Sequence, residues 1–578
     1  MTNVVTLLHG ATPAASTQWW KSAVIYQVYP RSFADSNGDG IGDLPGVVQH
    51  LDYLETLGVD AIWLSPIYSS PADDNGYDIS DYQSVDPAFG TLDDFDHLVK
   101  EAHARGMKIV MDLVVNHTSD EHPWFLESAS SGTNPKRNWY WWRPPREGFA
   151  GGEPGAEPNN WESFFSGSTW QFEPLSGEYY LHLFSRKQPD LNWENPEVRA
   201  AVYAMMNWWM DRGVDGFRMD VINLISKRQD LPDGEVAPGH RFGDGFQYYS
   251  YGPRIHEFLQ EMHAAVFAER IGDFVTVGEM PGVTVDQAQR FTDPERHELD
   301  MVFQFEHVGL DHGAGGKFDS RPIDVRELKA SMQRWQDGLA TVGWNSLYWN
   351  NHDQPRAVSR FGNDGKFWSQ SARALAAVLH LQRGTPYIYQ GEELGMTNVP
   401  FQDISEIRDI ESLNYFAEAV LSPGATAESV LAGIRSAGRD NARTPMQWTP
   451  DVDGGFTTGT PWIGVHPNRR EINASSQVGV DGSIFEFYRA LIRLRHENPV
   501  VSLGDFRMIA PEHPTLFAFE RRLGSSSLVV VANFDAKPLE LRGAADLDLH
   551  GFELLLGNYG GAAPAARLSP WEVRVLTN

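Results

Sequence analysis

GFRMDV at 216–221 is a short apolar run broken by one arginine and closed by a carboxylate, Asp220. VTVGEM around Glu279 and WNNHDQPR around Asp353 end the same way. Outward from these, further runs of strand length are VIYQVYP (24–30), DAIWLSPI (60–67), KIVMDLVV (108–115), ELDMVFQFE (298–306) and PYIYQ (386–390). With DFVTVGE (273–279) and SLYWNN (346–351) they number eight. Such continuous, β-branched and aromatic runs suit strands buried on both faces, as in a parallel sheet. Helical patterns fill the gaps: TLDDFDHLVKEAHARG starts at a Thr91 N-cap and stops at Gly106. Eight strands alternating with helices predict an α/β fold, a (β/α)8 TIM barrel.

The alternation fails in two places. Between Asn116 and about Glu194 the chain is rich in Gly, Pro, Trp and Asn, and a gap that long is an inserted irregular domain after the third strand. A second insertion is expected at about 397–464. Past residue 500 come short alternating runs, TLFAFERR and SSLVVVANF, then FELLLGN and WEVRVL, which predict a C-terminal antiparallel β domain, a small sandwich. The expected division is 1–117 and 196–500 for the barrel, 118–195 for the inserted domain and 501–578 for the β domain.

Composition narrows the function. The 578 residues are 41% hydrophobic, enough for a large core, and carry a net charge of -30 from 77 acidic and 47 basic residues. A surface of that sign repels nucleic acid and anionic membranes. No cysteine is present, so disulfides, thiolate metal sites and a cysteine nucleophile are excluded. The N-terminal apolar stretch, Val4 to Leu8, is too short for a secretory core, and no run approaches a membrane span. The expectation is a soluble, cytoplasmic protein, a monomer or small homo-oligomer. The 19 tryptophans can stack on sugar rings as well as fill cores.

In a (β/α)8 barrel, reactive side chains gather at the C-terminal ends of the strands. Asp220, Glu279 and Asp353 follow the fourth, fifth and seventh runs, so three distant segments meet at one rim. Two carboxylates flanking a glycosidic bond cleave it by double displacement when ~5–5.5 Å apart, one attacking the anomeric carbon while the other protonates the leaving oxygen. Any one of them alone reads more naturally as a helix cap or ion-pair partner. Arg218, two residues before Asp220, shares its strand face, where its cation is expected to keep a nucleophilic carboxylate ionised. His117 and His352 are placed to donate to sugar hydroxyls.

DLVVNH (112–117), GFRMD (216–220), GEM (278–280) and NNHD (350–353) resemble, in order and spacing, four signature regions of the α-amylase family of glycoside hydrolases. QPDLN (188–192) is similar to the extra signature of its oligo-1,6-glucosidase branch, and the resemblance runs from about Trp19 to the C-terminus. It implies Asp220 as nucleophile, Glu279 as general acid/base and Asp353 as transition-state stabiliser. It further implies that His117, Arg218 and His352 line the subsite of the departing glucose. Tyr77 and Asp78 in GYDISDY, with Arg443 in NARTPMQW, are implied to stack on and grip the far end of that glucose, closing the pocket for exo-action. Phe165 in ESFFSGS matches an aromatic wall of the same subsite, with Phe164 beside it a competing assignment.

DSNGDGIGD places Asp35, Asn37, Asp39, the Ile41 carbonyl and Asp43 at alternate positions with Gly40 sixth, like the first part of an EF-hand loop. Position twelve is Gly46, so a full EF-hand is excluded. The branch carries a calcium-type site in this loop, and a structural Ca²⁺ or Mg²⁺ is expected, remote from the chemistry.

Val221 after the nucleophile resembles the members that prefer α-1,6 bonds, where threonine resembles those preferring α-1,4. Isomaltose and panose are therefore the expected substrates of a retaining exo-α-glucosidase. The alternatives are an α-glucosyl transferase, or a sucrose isomerase of the same fold, whose RLDRD segment is GLDHG (309–313) here. A non-catalytic sugar-binding or transporter-associated relative would be expected to lack a catalytic carboxylate.

Overall fold

The eight runs fold as eight parallel strands: β1 (Ile25–Val28), β2 (Ala61–Leu64), β3 (Lys108–Val114), β4 (Gly216–Asp220), β5 (Val275–Glu279), β6 (Met301–Phe303), β7 (Ser346–Leu347) and β8 (Thr385–Tyr389). In the computed structural model, which describes residues 18–543, 549–560 and 566–578, β1 to β6 pair in chain order and β8 lies between β7 and β1. A parallel bridge from Val302 to Asn345 joins β6 to the start of β7 and closes the ring, and Ser346 Oγ donates to the Val302 carbonyl at 2.5 Å. Closure leaves no edge and two buried faces. Ile25, Ala61 and Val110 pack inside the barrel, while their neighbours Tyr26, Ile62 and Ile109 face the helices. That double burial is why the strands show no polar alternation.

The helix expected after Thr91 spans Leu92–Ala104, opened by a Thr91–Asp94 capping box and buried through Phe95, Leu98, Val99 and Ala102. It ends where Gly106 takes φ 77°, a conformation cheap only for glycine. β6 and β7 are shorter than their apolar runs. Beyond them, side chains replace the ladder: Tyr348 Oη donates to the Gln304 carbonyl at 2.7 Å, and His307 Nε2 lies 2.8 Å from the Tyr348 carbonyl. The chain is thereby freed to turn His352 and Asp353 over the rim.

The excursion between β3 and β4 contains a three-stranded antiparallel sheet, Trp142–Arg143, Glu178–Leu181 and Trp170–Glu173, over a core that includes Trp141, Trp161, Trp170 and Tyr179. A fully buried ion pair, Lys227 Nζ to Asp190 at 2.8 Å, ties it to the segment after β4, and Lys227 also donates to Asn116 at 2.9 Å. The C-terminal residues form a five-stranded antiparallel sheet ordered Asp505–Ile509, Leu516–Leu523, Ser526–Asn533, Val573–Thr577, Glu553–Gly557. One face merges with the barrel's helical layer through Phe517, Phe519, Val530 and Val575. The other meets a two-stranded ribbon, Leu539–Glu540 with Arg567–Leu568, across Leu516, Ala518 and Val531. Among the described residues no helix is long and apolar enough to cross a membrane.

Candidate active site

At the C-terminal rim one guanidinium organises three carboxylates. Arg218 Nη1 lies 2.7 Å from Asp112 and 2.8 Å from Asp220, and Nη2 lies 2.6 Å from Glu279. Arg218 and Asp220, two apart on β4, share a face as the pleat dictates. Asp112 comes from the middle of β3, fully buried, and also accepts from Tyr77 Oη at 3.0 Å and Trp63 Nε1 at 3.2 Å. Glu279, the last residue of β5, accepts from the Val221 N–H at 3.1 Å.

One cation cannot neutralise three buried carboxylates. Burial pushes the Asp220 carboxyl well above its usual range, Arg218 opposes that shift, and the neighbouring Glu279 and Asp112 add to it. Arg218, expected to keep Asp220 ionised, does favour its charged form but is shared with Asp112 and Glu279. Asp220 and Glu279 lie within hydrogen-bonding distance of each other, which is a further cause of the rise at Asp220. A direct contact leaves no room for a water between them, the spacing of a retaining rather than an inverting pair.

Asp353 is in the opposite state. Burial, which would raise it, is outweighed by His352, Arg439 and Arg443, and its carboxyl is held well below the usual range. Arg443 Nη2 lies 2.7 Å away, Arg439 Nη1 3.3 Å and His352 Nε2 3.3 Å. The His352 ring is fully buried and stacked between Tyr77, at 5.0 Å, and Tyr29, at 6.3 Å. Its Nδ1 faces Gln27 Nε2 at 2.8 Å; with that amide nitrogen as donor, the Nε2–H of the imidazole is aimed at Asp353.

Asp220, Glu279 and Asp353 open onto one cavity of about 260 Å³, walled by Tyr77, His117, Phe164, Phe165, Phe184 and Phe305 and bordered by Asp74, Val221 and Arg439. His117 reaches it as expected. Its Nε2 lies 3.1 Å from the Tyr77 carbonyl, and burial pushes it down to about 4, so the ring is neutral near pH 7. Phe165 and Phe164 both reach it, which resolves their competition: Phe165 packs on the Arg439 guanidinium at 4.9 Å, and Phe164 stacks on Phe184 at 4.9 Å. Val221 stands at φ 33°, a left-handed conformation unusual for a β-branched residue, which turns its N–H towards Glu279. Arg218 and His352 lie behind the wall and act through the carboxylates.

The far end differs from the expectation. Asp78 is fully buried and turned into its own loop, accepting from the Asp73 and Asp74 N–H groups at 2.8 and 3.1 Å and from Ser70 Oγ at 3.0 Å. Arg443 does not border the cavity either; it holds Asp353 and the His352 carbonyl from behind. The pair at the cavity end is Asp74 with Arg439, 3.0 Å apart. Asp78 caps the turn that presents Asp74, so each partner was misplaced by four residues within the right motif. Asp409, N-cap of the helix Ile410–Ala419, anchors Arg439 from behind at 2.6 Å. Asn414 of that helix donates to the Phe165 carbonyl at 2.9 Å, joining the late insertion to the early one.

The DSNGDGIGD loop lies apart from this cavity. Asp35 accepts from the N–H groups of Asn37, Gly38 and Gly40 and from Thr457 Oγ1, while Asp43 caps the helix Leu44–Gln49 by accepting from Gly46. Asn37 and Asp39 each accept one N–H through Oδ1, from Asp39 and Ile41 respectively. Among the described residues no group of three or more carboxylate or imidazole side chains converges as a metal cluster. The donors left for a cation are Asp39 Oδ2, the Asn37 side chain and the Ile41 carbonyl.

The alpha amylase catalytic domain model matches residues 27–504. This chain belongs to the alpha-amylase family. It is 54% identical over 564 residues, 97% of this chain and 99% of the relative, to an oligo-1,6-glucosidase of Halalkalibacterium halodurans. The solved trehalose-6-phosphate hydrolase of Bacillus licheniformis matches with a TM-score of 0.91 at 46% identity, covering 97% of this chain and 99% of that one. A solved trehalulose synthase matches with a TM-score of 0.90 at 44% identity, covering 97% and 100%. The protein is thus an alpha-amylase family glycoside hydrolase, and the three relatives frame the choice of substrate.

Proposed function

We propose that this protein is a retaining, exo-acting α-glucosidase that releases terminal α-glucose from short oligosaccharides, with α-1,6 bonds preferred. The observation that carries the reading is a cavity with a contacting Asp220–Glu279 pair at its reactive side and a buried Asp74–Arg439 pair at its far end. A carboxylate and a guanidinium together bond the hydroxyls of one terminal sugar and stop a chain from threading through. In the reaction, Asp220 attacks the anomeric carbon as Glu279 gives a proton to the bridging oxygen. Esterified Asp220 carries no charge, so Glu279 then takes a proton from water as the water oxygen bonds the anomeric carbon and displaces the Asp220 carboxylate, and α-glucose leaves with configuration retained. Asp353, held ionised, stabilises the positive charge that develops at the ring.

A phosphorylated substrate, as the hydrolase relative's name implies for that enzyme, is disfavoured by charge. The cavity is bordered by five carboxylates (Asp74, Asp220, Glu279, Asp353, Glu411) and two cations, Lys317 and Arg439. Lys317 lies 2.6 Å from Glu411, and Arg439 is committed to Asp74 and Asp409, so no free cation awaits a phosphate on this wall. Sucrose isomerisation is disfavoured because Gly309 and Gly313 supply no side chain to hold a released fructose. Initial rates on isomaltose, maltose, sucrose and trehalose 6-phosphate test the reading; a highest kcat/KM on either of the last two overturns it.

Val221 is proposed to set the linkage preference through its contact with the leaving-group side. A single methyl or hydroxyl contact is worth ~1–3 kcal/mol. Val221→Thr is expected to move the isomaltose-to-maltose ratio of kcat/KM about tenfold towards maltose; an unchanged ratio removes Val221 from the account.

The DSNGDGIGD loop is proposed to hold a structural Ca²⁺ through Asn37, Asp39 and the Ile41 carbonyl, with Asp35 and Asp43 completing the charge. The ion would tie the loop and supply nothing to bond cleavage. Removing it with a chelator is expected to lower Tm by about 2–5 °C, restored by Ca²⁺ in the wild type but not in Asp39→Ala. A Tm indifferent to both treatments excludes the ion.

A further inference from the structure

Behind the loop that carries His352 and Asp353 lies a small cavity of about 10 Å³ whose wall includes Asn350 and Glu392. Three polar atoms around it lack partners although their residues are at least nine-tenths buried: Asn350 Oδ1, Asn350 Nδ2 and Glu392 Oε2. The rest of the wall is mainly apolar, with Trp349, Ala357, Leu375 and Met396. Buried polar atoms left unpaired cost on the order of 1–3 kcal/mol each, and a space of this size fits one water with two to four polar partners. Arg356, on the same wall, makes a cation an unfavourable occupant.

We propose that Asn350 and Glu392 grip one buried water molecule beneath the 350–356 loop, and that this bridge positions Asp353 against the substrate. Asn350 is three residues before Asp353, and Glu392 is three residues past the end of β8, so the water would join the loops after β7 and β8. Arg356 joins the same two regions, donating to the Gln390 carbonyl at 2.6 Å and to the Asn441 and Ala442 carbonyls at 3.1 and 3.0 Å. A neutral carboxylic acid suits the bridge, because it can donate to the water as well as accept. Burial pushes Glu392 up to about 8; Glu393 adds to the shift, while Tyr488, donating at 2.8 Å, and Arg356 oppose it. Glu393 is itself engaged by Tyr26 and Tyr53 at 2.9 and 2.6 Å.

The role of Asp353 in this proposal rests on the function proposed above, so the test includes readouts that need no substrate. A raised carboxyl binds its proton in the folded state and loses it on unfolding. It therefore removes stability progressively as pH climbs from the unfolded value towards about 8 and has no further effect above it. The Tm of Glu392→Gln minus that of the wild type should grow by about 2–4 °C between pH 5 and 8 and then stay level. A difference independent of pH contradicts the neutral acid. A high-resolution crystal structure should show solvent within ~3 Å of both side chains; a dry or cation-filled site overturns the bridge. On isomaltose at pH 7, Glu392→Gln should keep kcat within about threefold of wild type, while Glu392→Leu and Asn350→Leu lower it about tenfold with little change in KM. If these three kcat values are equal while the Tm and crystallographic results hold, positioning is overturned and only the water site remains. Failure of the wild type on every α-glucoside would instead defeat the function reading and leave those two results to judge the site.

Discussion

Asp220→Asn is expected to lower kcat on isomaltose by ~10⁴-fold or more, because the amide cannot form the glucosyl ester. The fold should not suffer. Three carboxylates share Arg218, and removing one charge relieves repulsion in a buried cluster, so Tm should stay level or rise. That combination, lost turnover with undiminished stability, separates a nucleophile from a structural ion-pair partner, whose loss would strand Arg218 and lower Tm. Activity above about 1% of wild type in a preparation free of deamidated protein would remove Asp220 from the nucleophile's role.

The second large effect is at the closed end. Asp74→Ala leaves Arg439 buried with one partner fewer and takes an acceptor from the terminal sugar, and breaking such a pair costs ~3–5 kcal/mol. The expected result is a fall of about 10²–10³-fold in kcat/KM on isomaltose. Asp78→Asn should instead reduce Tm, because Asp78 caps a turn and does not border the cavity. The reverse ranking of the two variants in kcat/KM would restore Asp78 as the gripping residue. Burial also places Asp74 at about 6, with Arg439 and Arg443 acting against the rise. As pH falls through that value Asp74 takes up a proton and the pocket loses its charged acceptor, so KM should increase on the acid side in the wild type and not in Asp74→Asn.

The barrel was legible because its strands are buried on both faces and so read as near-continuous apolar runs, three of them leading to a carboxylate. The ends of β6 and β7 were not, because Tyr348 and His307 satisfy the backbone there from a distance in sequence. Asp220, Glu279, Asp353, Arg218 and His117 were visible from strand position and motif. Asp112 could have been found too: a carboxylate in the middle of KIVMDLVV must have a buried cation, and Arg218 on the next strand is one. Asp74 and Arg439 were hidden by ambiguity, since PADDNGYD and GRDNAR each offer two like residues four apart, and only the folded turn shows which faces inward. Phe184 and Glu411 gave no local signal, because the insertions that carry them are positioned by long-range contacts such as Asn414 to Phe165, and Phe305 read only as part of the apolar run ELDMVFQFE.

The central claim is that Asp220 and Glu279 act as a contacting pair with a covalent glucosyl intermediate. Proton NMR of the first glucose released from isomaltose, recorded before mutarotation, tests it most directly. The account predicts the α-anomer; initial appearance of the β-anomer would contradict it.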